Sequence, residues 1–154
     1  MEAVEYFKPL VSDITAMQDL VKEEVDTGTI LLRTEDEMAT TIRSYTAVKI
    51  DGVLAGFSAL HIHSPKLAEI RSLIVSKDFR GRRLGKTLVE HCLDEGRTLG
   101  LEEVLSLTYQ KQFFEDLGFK EISKESLPEH KIWADCIRCK HFPICDEISL
   151  LYKL

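Results

Sequence analysis

Long apolar runs are missing from this chain of 154 residues. None approaches the roughly 20 apolar positions that a bilayer-spanning helix needs, so no helical membrane crossing is expected. An export signal is missing too. Met1 to Leu10 carries two Glu and a Pro where a basic start and an apolar centre would stand. The expected location is therefore cytoplasmic. An excess of positive charge is also absent: 20 basic against 26 acidic residues give a net charge of −6. A nucleic-acid surface wants clustered Lys and Arg, so none is expected, although a local basic pocket remains open. Cysteine is limited to four residues, and a reducing compartment favours free thiols or metal ligation over disulfides.

What is present is an ordinary globular balance, 44% apolar and 30% charged. It suits one domain over residues 1–154 with a sizeable core. No repeat, linker or low-complexity segment interrupts it.

Val4, Tyr6 and Phe7 read as a first strand ending before Pro9. Asp13 is placed as the N-cap of a helix with Ile14, Met17, Leu20, Val21 and Val25 on one face, stopped at Gly28. Thr34 and Glu37 have capping-box spacing for a second helix running to about Arg43. Thr46–Ile50 and Val53–Leu60 flank Asp51-Gly52, the strongest hairpin signal in the chain. Leu67–Val75 reads as a further strand. A helix follows with Leu84, Leu88, Val89, Cys92, Leu93 and Leu99 on its buried face and Gly100 at its end. Val104–Leu107 is a short strand, and Phe113, Phe114 and Leu117 mark a short helix stopped by Gly118. The remainder, through Trp133 to Leu154, reads as strands around a Cys-rich turn. The resulting order, β-α-α-β-β-β-α-β-α-β-β, argues for an α/β sheet with some parallel pairing.

The chemistry is concentrated where the strand ending at Val75 passes into the helix beginning near Leu84. A helix N-terminus offers unpaired N–H groups and a positive dipole end, and so attracts anions. Gly81 and Gly85 allow close approach of a ligand. Arg80, Arg82, Arg83 and Lys86 add charged donors suited to a pyrophosphate. A solvated basic helix start would look similar on charge alone.

Arg80-Gly81-Arg82-Arg83-Leu84-Gly85, behind Leu73-Ile74-Val75-Ser76-Lys77-Asp78-Phe79, resembles the phosphate loop of the GNAT acetyltransferases. Arg83 stands where the family's first glycine is usual; it is tolerable there if it keeps a negative φ. Phe113-Phe114-Glu115-Asp116-Leu117-Gly118-Phe119 resembles the family's second signature, in the right order and about 30 residues on. The resemblance covers nearly the whole chain. It implies the GNAT fold, a mixed splayed β-sheet flanked by helices, with acetyl-CoA as cosubstrate in the splay between the fourth and fifth strands. It also implies that Leu73, Ile74 and Val75 pair with the pantetheine arm, that an amide near Val75 polarises the acetyl carbonyl, and that Arg80 to Thr87, including Leu84, hold the phosphates.

Acetyl transfer needs a neutral amine, so a base helps. Glu69, in Ala68-Glu69-Ile70-Arg71, aligns with the glutamate that serves as general base in several GNAT enzymes, directly or through water. The bland alternative is a surface glutamate at an edge. The position of the family's acidic Tyr is Phe114, so no acid carries over; Tyr109 is a weak substitute, and a CoA thiol needs little help to leave. His61 and His63 share one strand face by their spacing and are either a metal pair or simple face-lining residues.

Arg33 closes the apolar stretch Thr29–Leu32, and Arg71 lies two residues past Glu69 on the same face. A guanidinium binds a carboxylate bidentately, though taken alone both arginines are better read as structural ion pairs. Gly28 to Arg33, Ala68 to Leu73, Leu107-Thr108 and Leu127-Pro128 before Lys131 look like the acetyltransferase domain of bacterial N-acetylglutamate synthases, in the short single-domain form. That resemblance implies transfer to the α-amino group of L-glutamate, the first step of arginine biosynthesis. It implies Arg33 as a contact for a substrate carboxylate and Arg138 as a second candidate. Other acceptors, such as a polyamine, a protein N-terminus or an antibiotic, remain open, as do a non-catalytic CoA-binding module and a homodimer.

Cys136, Cys139 and Cys145, with His141 between them, could hold zinc. A redox pair of Cys136 and Cys139, or a reduced turn packed around Phe142 and Pro143, are the alternatives.

Overall fold

Asp51 and Gly52 both take positive φ, 50° and 81°, the backbone of a tight turn that matches strand twist. They close a hairpin of Tyr45–Ile50 and Val53–Ile62. The computed structural model describes residues 3–26, 33–123 and 148–154. In chain order the regular elements are β1 (Val4–Phe7), α1 (Ile14–Asp26), α2 (Glu35–Thr40), β2 (Tyr45–Ile50), β3 (Val53–Ile62), β4 (Leu67–Val75), α3 (Leu84–Leu99), β5 (Glu103–Thr108), α4 (Lys111–Asp116), β6 (Lys120–Ile122) and β7 (Ile148–Lys153). This is the order expected from the sequence. The strands form a seven-stranded mixed sheet, β1-β2-β3-β4-β5-β7-β6, with helices on both faces.

Local chemistry explains most boundaries and corrects three expectations. Thr34 and Glu37 form the expected capping box, Glu37 N–H to Thr34 Oγ1 at 3.1 Å and Thr34 N–H to Glu37 Oε1 at 3.2 Å. That helix ends at Thr40, short of Arg43, which lies in a single 3₁₀ turn. Asp13 does not cap α1 from outside. It sits in a 3₁₀ turn that runs into the helix, and its carboxylate accepts from Leu10 N–H at 2.7 Å. Leu99 is 57% exposed rather than buried, because it is the last residue of α3 and the chain turns away at Gly100. There Leu101 N–H reaches Gly96 C=O and Gly100 N–H reaches Arg97 C=O, the paired closure that a left-handed C′ glycine permits.

One face of the sheet packs Ile14 and Met17 of α1 and Met38 of α2 on Tyr45, Ala47, Phe57 and Ala59. The other packs Val89, Cys92 and Leu93 of α3 and Phe114 of α4 on Leu60, Ala68, Ile70, Val104 and Leu150. Fully burying a Leu, Val or Phe side chain contributes about 1.5–3 kcal/mol, so these faces fix where the ends of β4 and α3 lie.

Two features of β4 shape the site. It pairs with β3 along its length, but with β5 only from Leu67–Glu103 to Ile70–Ser106. Past that point β5 continues beside β7 to Thr108, and the sheet splays open, as expected between the fourth and fifth strands. The second feature is a bulge. The register passes from Phe57–Ile74 to Ala59–Arg71, so Ser58 alone spans Ser72 and Leu73, and Ser72 takes φ 55°. A bulge bends its strand and increases its twist, here just where β4 leaves β5. No helix among the described residues is long and apolar enough to cross a membrane.

Candidate active site

Val75 ends β4, and the chain passes through a 3₁₀ turn, Lys77–Phe79, to the start of α3. Arg80 Nε donates to Val75 C=O at 3.3 Å and ties the loop to the strand. Gly81 takes φ 84°. Arg83 is the N-cap of α3 and makes no side-chain cap bond, so none from it covers the first amides of the helix. Arg80, Gly81, Arg82, Arg83 and Lys86 are exposed around that end, while Leu84 is buried and anchors it. Arg83 departs from expectation. Its φ is 61°, the left-handed conformation that a glycine takes freely and that costs another residue about 1–2 kcal/mol. The loop therefore keeps the geometry of a glycine at that position and adds a cation.

The two sequence signatures meet in space. A Cβ on Gly85 would lie 3.5 Å from Phe113 Cζ and 3.7 Å from Val75 Cγ2. Phe114 is 3% exposed and stands edge-on to Phe113 and Phe119. It is a core residue with no proton to give. Tyr109, directly after β5, is 41% exposed.

Glu69 lies on the opposite face of the sheet from α3 and is 3% exposed, which removes the reading of a surface glutamate. Its Oε1 is 2.8 Å from His63 Nε2 and 3.4 Å from Arg71 Nε. Across the strands His61 is the direct partner of Glu69, and Ala59 of Arg71. The result is a polar patch on a face that is otherwise apolar toward α1.

Beside this patch is a cleft of about 270 Å³, with Arg33, Glu37, Thr41, Tyr45, His61 and Arg71 in its wall, together with Ser72 of the bulge. Burial raises the pKa of the Tyr45 phenol, against the opposing pull of Arg33, a hydrogen bond with Thr41 and the pull of Arg71. Tyr45 is thus a neutral hydroxyl at neutral pH. Glu69 does not itself line the cleft, whereas its neighbours Arg71 and His61 do.

The acetyltransferase (GNAT) family model matches residues 14–119, the span from α1 to the end of the second signature. This chain belongs to the GNAT acetyltransferase family. It is an N-acetyltransferase of the acetyl-CoA-dependent type. An uncharacterised N-acetyltransferase of Chlorobaculum tepidum is 35% identical over 144 residues, 94% of this chain and 92% of that protein. An amino-acid acetyltransferase of Pasteurella multocida is 29% identical over 79% of this GNAT chain, which spans only 28% of that longer protein. Among solved structures, the N-acetylglutamate synthase of Neisseria gonorrhoeae, complexed with coenzyme A and N-acetyl-glutamate, superposes with a TM-score of 0.86. That match has 24% identity and covers 99% of this chain and 35% of that one, so it bears on the fold.

The GNAT structure brings Glu69 to Arg71 and Arg71 to Arg33 across the cleft, and separately Leu73, Ile74 and Val75 to the loop Arg80–Thr87. Arg138 and the turn of Cys136, Cys139, His141 and Cys145 lie outside the described residues. Among the described residues no cluster of three metal-ligating side chains exists, and His63 pairs with Glu69. Sequence reasoning missed that pairing, and it missed Tyr45, Thr41 and Glu37 as cleft residues. The register that sets His61 opposite Glu69 was the only signal for the first, and it requires the strand pairing. The others needed the packing of α2 on β2.

Proposed function

We propose that this acetyltransferase transfers the acetyl group of acetyl-CoA to the α-amino group of L-glutamate, the opening reaction of arginine biosynthesis. The observation that carries the reading is the cleft beside the splay, with Arg33 and Arg71 in one wall. Two guanidiniums suit an acceptor bearing carboxylates, and about 270 Å³ suits a molecule the size of an amino acid. The likeness to an amino-acid acetyltransferase at 29% identity supports the same class of acceptor.

In this reading the pyrophosphate of acetyl-CoA lies on the first amides of α3, with Arg80, Gly81, Arg82, Arg83, Leu84, Gly85, Lys86 and Thr87 around it. The pantetheine arm follows the free edge of β4 at Leu73, Ile74 and Val75, where pairing with β5 has ended. The acetyl group then sits in the splay, close to the bulge at Ser72 that borders the cleft. The acceptor nitrogen attacks the acetyl carbon. A backbone amide near Val75 stabilises the developing oxyanion, and the C–S bond breaks to release the CoA thiolate. Before the attack the acceptor ammonium gives one proton to Glu69, and the second proton that the nitrogen loses on becoming an amide goes to the departing thiolate. Since Glu69 itself does not line the cleft, a bridging water is the simplest carrier. Base catalysis of this kind is worth about 10²–10⁴-fold.

The test supplies purified protein with acetyl-CoA and a panel of amines and follows free thiol release. Turnover with L-glutamate alone is expected. Turnover with a polyamine but not with glutamate sinks the proposal, and tight CoA binding without turnover on any amine makes the chain a binding module.

A further inference from the structure

His63 follows the last residue of β3, and its backbone N–H bonds Leu67 C=O at 2.9 Å to close the turn into β4. Its side chain is only 1% exposed and its Nε2 lies 2.8 Å from Oε1 of Glu69, whose own side chain is 4% exposed. An imidazole nitrogen and a carboxylate oxygen at that distance need a proton between them, because two facing lone pairs repel. Arg71 reaches the same oxygen at 3.4 Å, so His63 is the nearer donor. A buried carboxylate stays ionised only where donors replace its water.

We propose that His63 is a positioning residue for the transfer reaction: its Nε2–H holds the Glu69 carboxylate ionised and in one orientation. The inference rests on the reading of Glu69 as the base. The acceptor's proton passes to the carboxylate, and His63 keeps its own. Among the described residues the titratable groups beside this pair are His61, whose ring centroid is 4.8 Å from that of His63, and Arg71 on β4, while Tyr45 on β2, Glu37 on α2 and Arg33 before it line the adjoining cleft with them. On the β5 side the residue opposite Glu69 is Leu105, which carries no charge. A metal role for His61 and His63 competes for the same Nε2.

The experiment compares kcat/KM against pH, with acetyl-CoA and L-glutamate, for the wild type, His63→Leu, His63→Gln and Glu69→Gln. In His63→Leu the rate is expected to fall at least about tenfold, with KM for acetyl-CoA unchanged. Its acidic limb moves to higher pH, because a buried carboxyl without its donor ionises less readily. His63→Gln keeps an N–H and restores most of the rate and the limb. A folded His63→Leu with the wild-type limb overturns the inference while leaving Glu69 as base. A wild-type profile in Glu69→Gln removes the base and the inference with it. Imidazole-ring NMR of the wild type requires neither turnover nor the Leu variant. A hydrogen-bonded proton on His63 Nε2 supports the assignment; a ring protonated on Nδ1 alone overturns it.

Discussion

Ile70 of β4 and Ser106 of β5 are the last residues to pair before the two parallel strands part. On one side of that point Glu69 is still clamped inside the sheet; on the other, Arg71 and Ser72 border the cleft and Leu73 to Val75 run on without pairing to β5. A buried glutamate, a strand edge that has parted from β5 and a cleft lined by two arginines are thus set within a few residues of one strand.

Gly56 lets β3 lie close against the end of β4. A Cβ there would lie 2.6 Å from Ile74 C=O and 3.3 Å from Val75 Cα, both backbone atoms that cannot swing aside. Gly56→Ala is expected to destabilise the fold by about 1–3 kcal/mol, the usual range for overpacking, and to weaken CoA binding by displacing the end of β4. Urea unfolding and calorimetric CoA titration check both effects; a variant as stable as the wild type contradicts the close approach.

Arg83 separates strain from charge. Arg83→Gly and Arg83→Ala both remove the guanidinium, so both are expected to weaken CoA binding. Only glycine relieves the left-handed backbone, worth about 1–2 kcal/mol, partly offset by glycine's larger unfolded entropy of about 0.5–1 kcal/mol. Denaturant unfolding should rank Arg83→Gly above Arg83→Ala. Equal stabilities would mean that the loop does not hold φ 61° in solution.

The two cleft arginines predict a split between substrates. Arg33→Ala is expected to raise KM for glutamate about tenfold, the loss of roughly one charge-assisted contact of 1.4 kcal/mol or more, while KM for acetyl-CoA stays within twofold of the wild type. Arg71→Lys is expected to lower kcat as well, because Arg71 also contacts Glu69 at 3.4 Å. Steady-state kinetics with each substrate varied in turn distinguishes the two patterns; a rise in the acetyl-CoA KM alone would move these arginines out of the acceptor site.

Cys92 predicts an alkaline dependence of stability. Burial pushes its thiol up from its ordinary range to about 12, a hydrogen bond from Ser58 opposing the shift only in part. The folded state therefore keeps the proton where the unfolded state releases it, so stability falls as pH rises from about 9 to about 12. Below that window the thiol contributes no pH dependence. Cys92→Ala should flatten the alkaline slope in unfolding experiments from pH 8.5 to 10.5, and iodoacetamide at pH 8 should spare Cys92 in the native protein on peptide mapping.

Much of this molecule is legible without coordinates. The hairpin at Asp51-Gly52, the capping box of Thr34 and Glu37, the glycine stop at Gly100 and the loop Arg80–Gly85 are written in adjacent residues. Each expresses a short-range preference: a φ sign, an orphan amide, a helical period. Errors fell at element ends, where Asp13, Arg43 and Leu99 answer to how the chain continues and not to the local pattern.

The sequence by itself determined the order of strands and helices, the basic, glycine-containing helix start, and the presence of a glutamate on the strand before it, because turn chemistry and periodicity act over a few residues. Tertiary structure alone decided that β4 leaves β5 after Ile70 and Ser106, that Glu69 is buried against His63, and that Arg33, Tyr45 and Arg71 share one cleft. Those relationships depend on register and on a bulge. A shift of one residue in either would turn each of these side chains to the other face of the sheet.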